Sequence, residues 1–351
     1  MRIALFNHKG GVSKTTTTFN LGWMLASKAN TVVMVDTDPQ CNLTGMALGY
    51  EGPTDLEHFY EEHPTRNIRA ALSPAFEARP VPIAPVECFQ VDQTRVPRLY
   101  LLPGHIRFAE YEVTMGIAQE LSSTIQTLQN VPGSIAHLLE QTETHYRADY
   151  TLIDMSPSLG SINQNLLMTS QFFLIPISPD FFSVMAIDSL ATTLPKWMAW
   201  ARKAATMPVF RDASYPFPAP NLRFLGTVIQ KFRPRGGEPA EGFQRWIDRI
   251  NNAIAQRLIP VLRDNGMLLP DEVYRNAGMD ATYSLAAIPD FNTLIAKSQE
   301  AGVPIFALTE GQIGQTGVVL VTTLRNRDNF MQLFRDFADR ISVLTGHAVA
   351  I

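Results

Sequence analysis

Cysteine is scarce in this sequence: Cys41 and Cys88 are the only two among 351 residues. Two cysteines cannot build a disulfide framework, and their spacing does not match the CxxC pattern of zinc and redox sites. The sequence therefore predicts reduced thiols in a reducing compartment and argues against a metal cluster held by cysteine.

Long apolar runs and a secretory leader are also missing. The longest apolar stretches, such as residues 171–178, fall far short of the about 20 residues that a transmembrane helix needs. The first residues lack the charged segment followed by an apolar segment that defines a signal peptide. We therefore expect a cytoplasmic protein that does not enter the membrane.

A strong excess of one charge is absent as well. The chain carries 29 Lys and Arg residues against 33 Asp and Glu residues, a formal net charge of -4. Such a chain has no overall attraction to nucleic acid or to anionic lipid. Any nucleic-acid surface must then be a local basic patch.

The apolar content, by contrast, suffices for one large core. Hydrophobic residues make up 46% of the chain and charged residues 18%. We expect a single domain over residues 1–351. Between residues 51 and 97 prolines are scattered and periodicity is weak, which predicts an insertion or a long decorated loop at about residues 51–100.

Short apolar runs that end in polar residues alternate with helical patterns along the chain. These runs occupy residues 1–7, 31–35, 150–154, 171–178 and 224–230. Strands buried on both faces are almost continuously apolar, and ligands meet the carboxyl ends of such strands. The sequence thus predicts an α/β fold, a doubly wound, mostly parallel sheet with helices on both faces.

A glycine-rich loop between the first predicted strand and the first helix is the strongest functional signal. It reads His8-Lys9-Gly10-Gly11-Val12-Ser13-Lys14-Thr15-Thr16. Glycines let main-chain N–H groups face phosphate oxygens at a helix N-terminus, while Lys14 can neutralise phosphates and Thr15 can bind Mg²⁺. We predict that residues 9–16 bind a nucleotide; a plain turn with solvated lysines is the alternative.

The loop departs from the common P-loop pattern, which has glycine where this chain has His8 and Ser13. The box Lys9-Gly-Gly-x-x-Lys14-Thr15 instead resembles the deviant Walker A box of the ParA/MinD family, P-loop ATPases of the SIMIBI class. The resemblance implies ATP and Mg²⁺ as cofactors, slow hydrolysis stimulated by a protein partner, and a homodimer that forms upon ATP binding. It also implies that Lys9 reaches across the dimer to the nucleotide of the other protomer.

Three aspartates at the ends of predicted strands resemble further family motifs. Asp36 and Asp38 lie in a segment similar to switch I, in which Cys41 stands where glycine is common, and Asp154 lies in a segment similar to Walker B and switch II. The resemblance implies that Asp38 orients the attacking water, that Asp154 holds Mg²⁺ through a water together with Thr15, and that Asp36 supports the metal shell. Each aspartate could instead cap the helix or turn that follows it.

Further matches extend the resemblance over nearly the whole chain. Residues 174–183 look like the segment after switch II, and residues 288–305 resemble the C-terminal region of the family. Gln230 and Lys231 fall where the family contacts adenine; a surface-exposed pair is an equal alternative. The apolar stripe within residues 333–344 is predicted to be core rather than a MinD-like membrane helix, because its charges are balanced.

The resemblance leaves the target of the ATPase open. The chain begins at its first strand, so we expect no N-terminal helix-turn-helix and no specific operator binding. Family members without the helix-turn-helix bind DNA non-specifically in partition. A protein of this kind would also associate with the nucleoid. Candidate basic residues for such a surface are Arg233, Arg235, Arg245, Arg249, Lys297, Arg325 and Arg327.

Ordinary solvated side chains are the preferred interpretation of these basic residues, and Asp290 stands where the family often has arginine. The alternative function is a regulatory or scaffold ATPase that acts on a protein partner without binding DNA, with the segment of residues 51–97 as the partner surface. A nucleotide-gated binding module without hydrolysis is a third interpretation, which the presence of Lys9, Lys14, Thr15, Asp38 and Asp154 disfavours.

Overall fold

A computed structural model describes residues 1–50, 52–121, 126–235, 238–279 and 281–346 of the chain. Within these residues, eight strands form one sheet and two short strands form a second, two-stranded sheet. The strands are β1 (Arg2–Leu5), β2 (Val32–Asp36), β3 (Phe89–Asp92), β4 (Val96–Leu102), β5 (Tyr150–Asp154), β6 (Phe172–Ile177), β7 (Arg223–Phe232), β8 (Pro234–Arg235), β9 (Glu238–Pro239) and β10 (Ser284–Pro289).

The order of strands in the large sheet is β10-β7-β6-β1-β5-β2-β4-β3, and β8 pairs with β9. All neighbours in the large sheet are parallel except β3, which is antiparallel to β4. Every residue of β1, β2, β5 and β6 is buried. Side chains alternate between the two faces of a strand, so both faces of the central sheet are covered. This confirms the predicted doubly wound, mostly parallel α/β fold.

Helices supply that cover. They are α1 (Lys14–Ser27), α2 (Asn42–Leu48), α3 (Pro53–Glu62), α4 (Ile68–Phe76), α5 (Tyr111–Leu121), α6 (Val131–Tyr146), α7 (Ser161–Met168), α8 (Phe181–Thr206), α9 (Pro208–Arg211), α10 (Glu241–Ala253), α11 (Ile259–Asp264), α12 (Asp271–Asn276), α13 (Leu294–Ala301), α14 (Glu310–Ile313) and α15 (Gly317–Gly346). Short 3₁₀-helices lie at Ile106–Glu110, Gln126–Leu128 and Ile305–Ala307, and a π-helical turn lies at Ile254–Leu258.

The register of the central strands determines which residues meet at the carboxyl edge of the sheet. Leu5 of β1 lies opposite Asp154 of β5, and Asp154 lies opposite Asp36 of β2. Since parallel strands end at the same edge, the loop after β1 and these two aspartates converge.

The proline-rich segment is built differently from what the sequence predicted. It contains α3, α4, β3 and the start of β4, and β4 pairs with β2 from Val32 to Val35. Pro53 occupies the first turn of α3, where a missing N–H costs no hydrogen bond. The interpretation as a long decorated loop is therefore wrong, because the segment contributes two strands to the main sheet. That it is an insertion relative to the family stays a prediction.

The C-terminal helix α15 packs on the sheet through an apolar stripe. Phe334, Phe337, Ile341 and Leu344 are buried, and Leu333 packs against the same core while partly exposed. This confirms the core prediction for the stripe; residues 347–351, which follow it, lie outside the described residues. No helix in the described residues is long and apolar enough to cross a membrane.

Candidate nucleotide-binding site

The loop between β1 and α1 has the backbone of a phosphate cradle. Gly11 has φ 72° and Ser13 has φ 58°, both in the left-handed region. A serine adopts that region at a cost of roughly 1–3 kcal/mol, whereas glycine, which a common P-loop has at the Ser13 position, adopts it without that cost. The N–H groups of residues 10–13 donate no hydrogen bond to any described residue. Unpaired N–H groups at a helix N-terminus are suited to bind an anion.

Asn7 ties this loop to the sheet. Its Nδ2 donates to the Pro176 carbonyl of β6 at 2.8 Å, and its Oδ1 accepts from the Lys9 N–H at 2.9 Å. The side chain is fully buried. Sequence reasoning missed Asn7; its one local signal is a polar residue that directly follows the apolar run of β1.

Lys14 places its ammonium group inside the loop. Its Nζ donates to the carbonyl of Asn7 at 3.0 Å and to that of Lys9 at 3.3 Å, and the residue is only 7% exposed. Burial lowers the pKa of Lys14, while the carboxylates of Asp154 and Asp38 act in the opposite direction. The loop therefore holds a desolvated cation, which would interact strongly with a phosphate.

Lys9 contacts helix α8 of its own chain. Its Nζ donates to the Asp180 carboxylate and, at 3.2 Å, to the Ser183 hydroxyl. Asp180 is also the N-cap of α8, since its Oδ1 accepts from the Ser183 N–H at 2.9 Å. The ion pair is partly exposed and contributes at most about 1 kcal/mol. A role for Lys9 in another protomer therefore requires this weak pair to open.

Asp154 carries a buried carboxyl group that is suited to pair with a cation. Burial, reinforced by the charge of Asp36, raises the pKa of Asp154 to about 8. The nearby Thr15 hydroxyl and Lys14 ammonium oppose that shift. Yet neither Asp154 oxygen has a hydrogen-bond partner of ordinary geometry among the described residues. Two unpartnered buried oxygens fit a group that supplies positive charge, such as hydrated Mg²⁺.

A metal site formed by protein side chains alone would need several ligands close together. The described ranges contain no group of three or more His, Cys, Asp or Glu side chains that could hold a metal ion. Mg²⁺ in nucleotide sites keeps several waters and uses one or two carboxylates plus substrate phosphates. The donor set of Asp154 and Thr15 therefore suits Mg²⁺ bound with a nucleotide.

Asp36 lies beside Asp154 with both oxygens occupied. Its Oδ2 accepts from the Thr44 N–H at 2.8 Å and from the Thr44 hydroxyl at 2.7 Å, and its Oδ1 accepts from the Asp38 N–H at 3.2 Å. Burial raises the pKa of Asp36 to about 7. Three hydrogen bonds thus hold the Asp36 carboxylate in place, which suits a residue that supports a metal shell from outside.

Asp38 combines a possible chemical role with a structural one. Its Oδ1 accepts from the Gln40 N–H at 3.0 Å, and its carbonyl accepts from the Cys41 N–H at 2.9 Å. The turn-capping alternative is thus realised for this residue. The second carboxylate oxygen, Oδ2, makes no hydrogen bond with a described residue and remains free for another partner.

The two residues expected near adenine lie close to the loop. Gln230 is 1% exposed and donates through Nε2 to the Thr17 hydroxyl of α1, whereas Lys231 is exposed and donates to the Gly11 carbonyl at 2.8 Å. The surface-exposed interpretation is therefore wrong for Gln230. Contact of either residue with adenine stays a prediction.

Comparison with known proteins agrees with this geometry. The AAA_31 family model, described as an AAA domain, matches residues 1–204. The sporulation initiation inhibitor protein Soj of Bacillus subtilis is 31% identical over 192 residues, which span 55% of this chain and 64% of Soj. The chain belongs to the ParA/MinD family of P-loop ATPases.

Two further comparisons show the extent of the likeness. An uncharacterised protein of Mycobacterium tuberculosis is 27% identical over 257 residues, which span 73% of this chain and 66% of that protein. The chain thus spans about two thirds of the length of these two curated relatives. The fold resembles that of the septum site-determining protein MinD complexed with Mg-ADP from Pyrococcus horikoshii, with a TM-score of 0.51, 15% identity and coverage of 98% of this chain and 97% of that one.

Proposed function

We propose that this ParA/MinD-family protein binds Mg·ATP in the loop of residues 9–16, pairs with a second copy across the nucleotide, and hydrolyses ATP to switch its binding to a target. One observation carries the proposal. Beneath a loop of unpaired N–H groups, buried Lys14 lies beside Asp154, whose two buried oxygens have no partner in the described residues. A ligand that is anionic and brings a cation satisfies both, as Mg·ATP does.

Each residue has a distinct part in this proposal. Lys14 and the N–H groups of residues 10–16 bind phosphates, and Asp154 and Thr15 hold Mg²⁺, which neutralises charge on the phosphates when bound. Asp36 supports the metal shell through its contacts with Thr44. Asp38 orients the attacking water, and Gln230 and Lys231 contact adenine in this proposal.

An exposed apolar cluster supports pairing through this face. Phe181, Phe182 and Met185, in the first turns of α8, are 54%, 65% and 52% exposed. They directly follow Asp180, the residue that contacts Lys9. Large apolar side chains exposed together commonly mark a protein interface. A second copy that covers this cluster would also draw Lys9 away from Asp180.

Replacing Lys9 with alanine is expected to prevent dimerisation in Mg·ATP while leaving the fold intact. Loss of a buried cation from an interface typically costs about 2 kcal/mol or more, which is about 30-fold in dimer affinity. Light scattering with and without Mg·ATP measures the effect. Lys28→Ala is the control, because Lys28 pairs with Asp339 on the surface at the far end of α1. A wild-type protein that stays monomeric in Mg·ATP, or a variant that dimerises equally well, contradicts the proposal.

The target of the switch divides into two candidates. Arg233, Arg245 and Arg249 are exposed near the end of β7 and on α10, and none forms a salt bridge within the described residues. These three arginines favour non-specific DNA, as in partition of a plasmid, chromosome or other cargo. By contrast, Arg327 pairs with Asp328 at 2.8 Å and donates to the Leu308 carbonyl at 3.1 Å. Its guanidinium is already bound within the protein, so it is a weaker candidate for contact with DNA. The Arg235 side chain lies outside the described residues.

The negative net charge and Asp290 favour the second candidate, an ATPase that regulates or scaffolds a protein partner. A DNA mobility-shift series with Mg·ATP at rising salt separates the two. If DNA is the target, binding requires ATP and weakens steeply with salt, and the triple variant Arg233→Ala, Arg245→Ala, Arg249→Ala loses most of it. Absence of ATP-dependent binding by the wild type even at low salt leaves the protein-partner candidate.

A further inference from the structure

The loop that carries Asp36 and Asp38 is closed by a residue from outside it. After Asp38 the chain turns at Cys41, which has φ 55°, and enters α2. A left-handed backbone at a non-glycine residue costs roughly 1–3 kcal/mol and persists only where the surroundings hold it. Cys41 is 2% exposed, so something packs over this turn.

Tyr60 of α3 is the residue that packs there. Its hydroxyl donates to the Gly104 carbonyl at 2.9 Å and lies 3.3 Å from the Cys41 sulfur. The ring packs against His105 in a tilted arrangement, with centroids 4.5 Å apart and an interplanar angle of 46°. One hydroxyl therefore connects the turn at Cys41 with the segment that follows β4.

Further hydrogen bonds connect Gly104 with Asp36 and form a second route to the loop. The Gly104 N–H donates to the Thr44 hydroxyl at 3.0 Å, and that hydroxyl donates to Asp36 Oδ2 at 2.7 Å. Gly104 lies so close that a Cβ there would be 3.0 Å from the Asp36 Cγ. Only glycine allows this approach without displacing the carboxylate.

We propose that Tyr60 is a positioning residue that holds the loop of residues 36–41 in place and thereby couples helix α3 to Asp38. One route runs from Tyr60 through Gly104 and Thr44 to Asp36, and the other runs through Cys41, whose N–H donates to the Asp38 carbonyl. Because the two routes enclose Asp38, a displacement of α3 moves its carboxylate. The effect on turnover rests on the proposed ATPase function; the hold on the loop does not.

The test compares Tyr60→Phe with Tyr50→Phe. Tyr50 belongs to the same aromatic group, with its ring centroid 5.7 Å from that of Phe59, but its hydroxyl has no hydrogen-bond partner among the described residues. Labelling of Cys41 by a thiol reagent, read per peptide by mass spectrometry, reports opening of the turn. Cys88 is the internal control, because it is also free and buried.

We expect Tyr60→Phe to label Cys41 at least about fivefold faster, with Cys88 unchanged and Tyr50→Phe like wild type. The kcat for ATP is expected to fall on the order of tenfold, with KM within about twofold. Unchanged labelling of Cys41, or equal acceleration in Tyr50→Phe, overturns the proposal. Faster labelling with unchanged kcat in an active enzyme also overturns it.

The design distinguishes failure of the proposed ATPase function from failure of the role given to Tyr60. If the wild type does not hydrolyse ATP, the proposed function fails, while the labelling still decides whether Tyr60 holds the loop. If Tyr60→Phe does not fold, Thr44→Val is tested instead, because it removes the hydroxyl that connects Gly104 with Asp36. This variant should produce the same labelling change, and Thr44→Ser should restore the wild-type rate. A Thr44→Ser protein as altered as Thr44→Val would contradict the hydroxyl relay.

Discussion

Replacing Lys14 with alanine is expected to weaken binding of Mg·ATP by at least about 100-fold. The ammonium group is buried inside the loop, close enough to Asp154 and Asp38 for their charges to act on its pKa. Removing it takes away the charge that attracts the phosphates and leaves buried carboxylates without a counter-charge. Removing one partner of a buried charge pair between a protein and its ligand typically costs about 3 kcal/mol or more in binding free energy, which corresponds to the stated change in Kd.

Isothermal titration calorimetry with a slowly hydrolysed ATP analogue measures this loss. Lys9→Ala is the matched control from the same loop, since the Lys9 side chain lies against Asp180 rather than inside the cradle. We expect Lys9→Ala to bind the analogue within a few fold of wild type at protein concentrations that keep it monomeric. If Lys14→Ala binds within about threefold of wild type, residues 9–16 are not the phosphate site.

Replacing Asp38 is expected to stop hydrolysis while leaving nucleotide binding intact. Positioned general-base and water-orienting groups contribute about 100- to 10,000-fold to rate. Binding should persist because Asp38 forms no hydrogen bond with Lys14 or with the N–H groups of residues 10–13 in the structure. Single-turnover phosphate release and analogue affinity, measured on the same preparation, separate the two properties.

Two substitutions distinguish the chemical role of Asp38 from its role in the turn. Asp38→Ala removes both the carboxylate and the acceptor for the Gln40 N–H, whereas Asp38→Asn keeps an acceptor oxygen of the same shape. If the carboxylate orients water, both variants lose turnover by about 100-fold or more. An active Asp38→Asn protein beside an inactive Asp38→Ala protein would mean that the residue only shapes the turn.

Local sequence determined much of the fold and the centre of the site. The strands at residues 2–5, 32–36, 150–154 and 172–177 could be predicted because strands of a covered parallel sheet are continuously apolar, which is visible in one dimension. The phosphate loop could be predicted for the same reason. Its glycines, lysines and flanking strand and helix are neighbours along the chain.

Other elements depended on pairing between distant segments. β4 contains Pro97 and follows a proline-rich stretch, so its composition does not indicate a strand; parallel pairing with β2 makes it one. Serine and cysteine give no local sign of the left-handed turns at Ser13 and Cys41, because they rarely adopt such a backbone; the glycine that related motifs have at both positions is the available signal.

The sequence by itself determined the strand, loop and helix of the proposed phosphate site and the strand ends that carry Asp36, Asp38 and Asp154. Only the tertiary structure decided what surrounds them. Lys9 meets Asp180 across 171 positions of sequence, and Tyr60 meets Gly104 across 44. Such contacts follow from the order in which strands join the sheet and from how helices pack on it. They arise from long-range burial and pairing, which leave no periodic trace along the chain.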